Sequence, residues 1–444
     1  MTPEQQLARV IARLRQLNPG FDGRETHKIE NGAVTELAFS TVTARDLSPL
    51  RELKGLKRLQ LSPWPGQTAK GVLSDLSPLK GMSLQTLNCA NTQVSDLLPL
   101  YGMKLEVLQC NNTAVSDLLA LEEMPLTLLN CSGTRVTDLS PLGALPLKEL
   151  LCDFVPDRDS DLLRGIKALE KINGLPAPAF WMRLNAMRPA RSKSTGTAAA
   201  AKPRPVDDAF IRFVAVLPPE KQVARVMAKL NSLNRGFAGD ETHAIEDGKV
   251  ARFSITVTAG LSDISPLQAL VSLRSFECIV AAEECPLVDL RPLHGLSLVE
   301  LRLRHVTIND LKPLGGMPLE ILNLDSCRIT ELSSVKGMQL KQLSLWNSTV
   351  SSLAPVAGMP LEWLNCSGTK VRDLSPLKGT RLTQLFCDST DVRDLSPLQD
   401  APLRVLRCDL EAAKQSAKAL QSIKTLEHIN GMPAADFWKS PKRP

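Results

Sequence analysis

Aromatic residues are scarce in this 444-residue chain, at 4% with a single tyrosine. A core of the size such a length permits must therefore be aliphatic, built on Leu, Val and Ile. No run of 18 apolar residues occurs, so the sequence offers no membrane-spanning helix. The five histidines are scattered, and no C-x-x-C spacing pairs any of the ten cysteines. A phosphate-cradling glycine loop, H-E-x-x-H, G-x-S-x-G and the kinase signature set are all missing. These absences point to a chain that is not an enzyme, with no cofactor and no metal. The N-terminus MTPEQQLARVIARL lacks a basic segment leading into an apolar one, which gives a cytoplasmic protein as the expectation. The net charge of +6 is also local. Arg188, Arg191, Lys193, Lys202 and Arg204 share one short segment without an acid, and the remainder is close to neutral. A general nucleic-acid surface is therefore not expected.

What the chain has instead is repetition. PLTLLNCSGTRVTDLSPLGAL (Pro125 to Leu145) returns as PLEWLNCSGTKVRDLSPLKGT (Pro360 to Thr380). Asp75, Asp96, Asp117 and Asp138 stand 21 apart, as do Asp289, Asp310, Glu331, Ser352, Asp373 and Asp394. Ahead of each array lies the same preamble. Residues 3–17 read as an amphipathic helix with a Thr2/Gln5 capping box, followed by an Asn31-Gly32 hairpin, and the pattern recurs 216 residues later. After each array comes a helical close ending in ING and Phe-Trp. The domain expectation is a first module over 1–185, a flexible basic linker over 186–205, and a longer second module over 206–444. The stretch 207–217 reads as an extra helix without a counterpart in the first half.

Within a unit the apolar positions follow L-x-x-L-x-C/L-x-x-T-x-V-x-D-L-x-P-L. The central alternation reads as a half-buried strand, and Ser375-Pro376 as an N-cap and first-turn proline before a helical turn ended by Gly379. One such unit cannot bury its leucines. Stacked units can, at roughly 1.5–3 kcal/mol per buried aliphatic side chain, so the repeat implies a solenoid. The pattern resembles the leucine-rich repeat in its short bacterial, internalin-like form, and the DLSPLKGMPL wording is similar to arrays in planctomycete bacteria. That resemblance implies an α/β solenoid: two right-handed leucine-rich-repeat arrays with parallel β-sheet concave faces and helical caps. It departs from the family where Thr92, Thr113, Thr134, Thr369 and Thr390 replace the usual asparagine. A threonine hydroxyl there can bond the neighbouring loop backbone. Val306 cannot, which predicts looser early coils in the second array.

The cysteines recur in files, Cys89 to Cys152 and Cys366 to Cys408. Leucines fill the same slot in other coils, so the cysteines read as small core hydrophobes rather than metal ligands. His27 and His243 occupy one position of the two preambles and read as structural, and Trp181 and Trp438 read as core covers. The positions free to vary are those between the strand leucines. In the first array they include Asn88, Gln109 and Asn130. In the second they include Arg302, Arg304, Arg407, Trp346, Trp363 and Phe386, a set of the kind that makes binding hot spots. The expectation is a non-catalytic scaffold that takes a protein or peptide partner on the concave face. Two alternatives stay open. One, implied only by the family association, is a regulatory part of a bacterial Ser/Thr kinase system. The other is a surface adhesin, should an export signal precede Met1.

Overall fold

The computed structural model describes residues 1–187, 206–234, 236–281, 287–308 and 310–439. They form two compact units. The five cations of the expected linker lie outside the described residues.

The first unit opens with the helix Pro3–Leu17, capped as its sequence dictates: Thr2 accepts from the Gln5 amide, and Gln5 reaches back to the Thr2 amide at 3.0 Å. Leu7, Val10, Ile11 and Leu14 fall on its buried face. Next comes an antiparallel hairpin, Glu25–Glu30 with Ala33–Phe39, turned by Asn31 and Gly32 at positive φ. Short parallel strands then stack in chain order to complete a nine-stranded sheet. The second unit repeats the scheme in an eleven-stranded sheet, with a separate two-stranded ladder. Both units are leucine-rich-repeat solenoids of α/β type.

Each coil follows from its letters. The strand leucines register on one another: Leu343, Leu364, Leu385 and Leu406 form one fully buried column. After the strand the chain turns through a left-handed residue, as at Asn91, Asn112, Gly133, Asn347 and Gly368. The threonine hydroxyl that follows does not reach the neighbouring coil as expected. It donates to a carbonyl of its own: Thr92 to Cys89, Thr113 to Cys110 and Thr369 to Cys366, each at 2.6 Å. The turn of 3₁₀ helix comes next, and here the capping residue differs from the sequence expectation. The aspartate two positions earlier accepts the serine amide, Asp373 from Ser375 at 2.7 Å and Asp46 from Ser48 at 2.8 Å. The serine hydroxyl bonds that same carboxylate instead of capping the helix. These bonds hold the Asp46 and Asp373 carboxyls below their ordinary range.

A second left-handed position closes the turn. Gly81, Gly102, Gly295, Gly316, Gly337, Gly358 and Gly379 fill it, but in one coil it falls to Glu123 at φ 64°. Glycine carries no steric cost there, and a side chain does. Glu123→Gly is expected to stabilise the first unit by about 0.5–1 kcal/mol, seen as a thermal midpoint raised by a few degrees. An unchanged or lowered midpoint contradicts it.

The early coils of the second unit do not have the looser ladder expected of Val306. Their strands are the longer ones: Ser275–Val280, Glu300–Arg304 and Ile321–Asp325, against three residues each at Gln342–Ser344 and Trp363–Asn365. Val306 is buried, and Thr307–Ile308 pairs with Leu287–Val288 in the added ladder. Backbone pairing there replaces what a side chain does elsewhere.

The ends are closed by asparagines. Asn18 is buried behind the first helix. Its carboxamide donates to the carbonyls of Leu14 and Asp46 and accepts from the amides of Arg45 and Asp46, all between 2.7 and 2.9 Å. Asn234 repeats this against Leu230, Ser262 and Asp263. At the far end the ING segment makes a second tight hairpin, with Asn173 and Asn430 at positive φ. Asn173 exchanges two bonds with the backbone of Cys152, and Asn430 two with Cys408. Each carboxamide takes the place that another strand's peptide group would fill.

The extra helix is present over Asp208–Ala215, capped by Asp207, and it buries Phe210, Phe213 and Val214. Ala269 is fully buried where the first unit has Glu52, and Glu52 is occupied by Arg9.

Candidate functional site

Strand alternation and register together fix what each sheet shows to solvent. In the second unit three rows face outward. The first runs Arg252, Ser275, Glu300, Ile321, Gln342, Trp363, Gln384, Val405. The second runs Ser254, Glu277, Arg302, Asn323, Ser344, Asn365, Phe386, Arg407. In the third, Thr256, Ile279, Arg304 and Asp325 pair in line, and Trp346 continues two residues beyond Ser344. All six candidate residues lie on this face.

They do not form a single cluster. Trp363 and Phe386, on adjacent strands, meet edge to face with ring centroids 5.8 Å apart. Trp346 stands in the third row, four residues along the strand direction from the Trp363 row, and is 45% exposed. Between the arginines and the aromatics the surface drops. Asn323 and Ser344 face outward yet are buried, because Asp325 gathers them: it accepts from Asn323 Nδ2 at 2.9 Å, from the Ser344 hydroxyl and from the Trp346 amide at 3.1 Å. The result is a trough with a floor of small polar groups, Arg302 and Arg304 at one end and the aromatic pair with Arg407 at the other.

The three arginines differ in their surroundings. Arg302 donates to Glu300 at 2.5 Å, and Glu300 also takes the Ser275 hydroxyl at 2.7 Å. Burial pushes the Glu300 carboxyl up, but these two donors outweigh it and hold the group below its ordinary range. Arg407 pairs with Asp388 at 3.0 Å, and Asp388 also accepts from the Ser367 hydroxyl. Arg304 has no acid partner among the described residues, and its Nε is buried without an acceptor. A buried donor left unpaired costs about 1–3 kcal/mol, so this arginine is held at some expense to the fold. Sequence spacing places Arg304 on the face but says nothing of its neighbour on the next strand. That is why its unpaired state was not legible.

Beyond Arg302 the face continues as a shallow groove of about 330 Å³, lined by Thr242, Arg252, Ser254, Ser275, Glu277 and Glu300 among others. The first unit's face is plainer: Thr86, Val107 and Leu128 in one row, with Gln60, Asn88, Gln109 and Asn130 in the next. Leu128 therefore holds the position that Trp363 holds in the second unit.

The remaining candidates fall into the scaffold. His27 pairs with Glu25 at 2.9 Å and His243 with Glu241 at 3.0 Å, both in the leading hairpins. Trp181 packs on the first core, with Phe154, Phe180 and the Arg164 guanidinium around it. Trp438 contacts Phe437 edge to face. The nine described cysteines are all buried. Among the described residues no group of three or more His, Cys, Asp or Glu side chains is placed to hold a metal ion, and no helix is long and apolar enough to cross a membrane.

No family model and no curated protein matches this chain. Solved structures do. An internalin from Listeria monocytogenes is 16% identical over 96% of this chain and 87% of its own, with a TM-score of 0.34. A second internalin of that organism, internalin C2, is 25% identical over 39% of this chain and 79% of its own, with a TM-score of 0.32. A leucine-rich-repeat protein of Leptospira interrogans is 14% identical over 96% and 97%, with a TM-score of 0.30. Superpositions this loose carry no argument about function, and the solenoid stands on the chain's own register and turns.

Proposed function

We propose that the chain is a non-catalytic recognition scaffold, and that the open face of the second unit takes a protein or peptide partner. One observation carries this reading. In a chain with so few aromatics, Trp363 and Phe386 are spent side by side on an outward face where folding asks for nothing apolar. Half-buried aromatic pairs beside arginines are the composition of interface hot spots. The equivalent face of the first unit has no such aromatic pair, so the second unit is assigned the binding role.

The test places a photo-crosslinking residue at Gln342, beside Trp363, in the full chain. The proteins captured are then compared with those taken by a Trp363→Ala/Phe386→Ala variant that melts at the same temperature. The expected result is a loss of at least about tenfold in affinity for the captured partner, since hot-spot truncations cost 2 kcal/mol or more. A partner bound equally well by both proteins removes this face from the reading. Leu128→Ala in the first unit is expected to leave binding unchanged.

A further inference from the structure

Resting on that reading, we infer that Arg304 is the anchor for a carboxylate side chain of the partner. The face then takes an extended peptide segment with an aspartate or glutamate set about six residues from a large apolar residue.

Three observations lead there. Among the described residues Arg304 is the one candidate arginine without an acid partner; its Nε is buried and out of a ligand's reach, so an incoming carboxylate would meet the two Nη groups. The fold withholds the obvious partner: Asp325 lies beside Arg304 in register, but its oxygens are engaged by Asn323, Ser344 and the Trp346 amide. A planar guanidinium with free donors matches a carboxylate in two parallel bonds, a geometry that no neutral group reproduces. Net charge does not drive the choice. At this end Arg252, Arg302 and Arg304 are balanced by Glu277, Glu300 and Asp325, so the selectivity comes from donors waiting for an acceptor.

The trough sets the length. Arg304 and Trp363 are three strands apart across the sheet and four residues apart along it. At about 4.8 Å per strand and 3.3 Å per residue, the separation is roughly 20 Å. An extended peptide covers that in about six residues. The low floor of Asn323 and Ser344 lies between the two ends. Past Arg302 the groove runs on by Ser275 and Glu277, so the bound chain has room to continue. This favours an internal side chain over a chain terminus.

The experiment pans the full chain with a phage-displayed random peptide library. Selected sequences are then synthesised with both ends blocked, each alongside a twin in which the acid is changed to its amide. The expected winners carry an acid about six residues from an aromatic or large aliphatic residue. The amide twin should bind about tenfold or more weakly to the wild type. Arg304→Gln should erase the difference between twins, while Trp363→Ala weakens both. Arg304→Gln should also melt no lower than the wild type, whereas an arginine serving only the fold would lower the midpoint when lost. Twins of equal affinity, winners without an acid, or peptides that bind only with a free C-terminus overturn the Arg304 assignment and leave the aromatic reading intact. Winners indifferent to Trp363→Ala, or no enrichment at all, overturn both.

Discussion

Replacing Asn18 by alanine is expected to cost the first unit about 2–4 kcal/mol, comparable with truncating a core leucine. The loss does not come from volume. The Asn18 side chain closes four bonds, and without it the amides of Arg45 and Asp46 and the carbonyl of Asp46 lose their partner in a part-buried site. Each such group costs about 1–3 kcal/mol, against an ordinary domain stability of about 5–15 kcal/mol. Asn18→Asp should be worse, since a carboxylate would face two carbonyls. Asn234→Ala should do the same to the second unit, where the hydroxyl of Ser262 adds a further donor at 3.2 Å. Hydrogen exchange assigns each loss to its unit, and urea titration measures it. A change below about 1 kcal/mol in both variants would mean that the helix is held by its apolar face alone.

The cysteine files set a second large effect, an alkaline limit on stability. Burial pushes Cys89, Cys131, Cys152, Cys366 and Cys408 up to about 12, against an ordinary value of 9.0, with neighbouring thiols or carboxylates adding to it at all but Cys89. Cys110 and Cys387 are raised as well, by burial first and then by the thiols on either side. The sign follows from proton counting. Between about pH 9 and 12 the folded thiol keeps a proton that the unfolded thiol has lost. Stability is therefore intact below about 9 and falls as pH rises through that window. At up to about 1.4 kcal/mol per pH unit for each thiol, the four of the first unit together exhaust an ordinary domain's stability within about two units. Circular dichroism against pH should show unfolding above pH 10, on the order of one to two units past the free-thiol value. A variant with alanine at positions 89, 110, 131 and 152 should start less stable at neutral pH but lose the steep decline. Equal slopes for the two proteins would refute the thiol explanation, because lysine and tyrosine ionise in both.

How much was readable beforehand depended on whether a feature is local or crosses between coils. The strand leucines, the capped first helix, the Asn31-Gly32 hairpin and the extra helix at Asp208–Ala215 all rest on neighbours in sequence, and the structure contains each of them. The turn was half legible. Ser-Pro marks its start, but the carboxylate of Asp373 does the capping, a choice between two adjacent polar residues that spacing alone does not decide. The partner of the threonines is not legible from spacing, because a hydroxyl next to a tight turn finds its own carbonyl first. For the candidate face, alternation was enough to place Trp346, Trp363, Phe386 and the three arginines outward. It could not show that Trp346 stands apart from the aromatic pair. Nor could it show that Glu300 and Asp388 neutralise two of the arginines while the acid beside Arg304 is taken. Those facts depend on which residue lies opposite on the next strand.

The asparagines that seal the two ends have a consequence for how such a chain can change. Asn18 and Asn173 touch only the outermost turns of the backbone, and so do Asn234 and Asn430. Nothing in either seal measures how many coils lie between them. Array length is thus a free variable: whole 21-residue steps can be added or removed by recombination at the repeat without remaking either terminus. The reach of the exposed face can lengthen in increments of about 4.8 Å while its folding boundaries stay where they are.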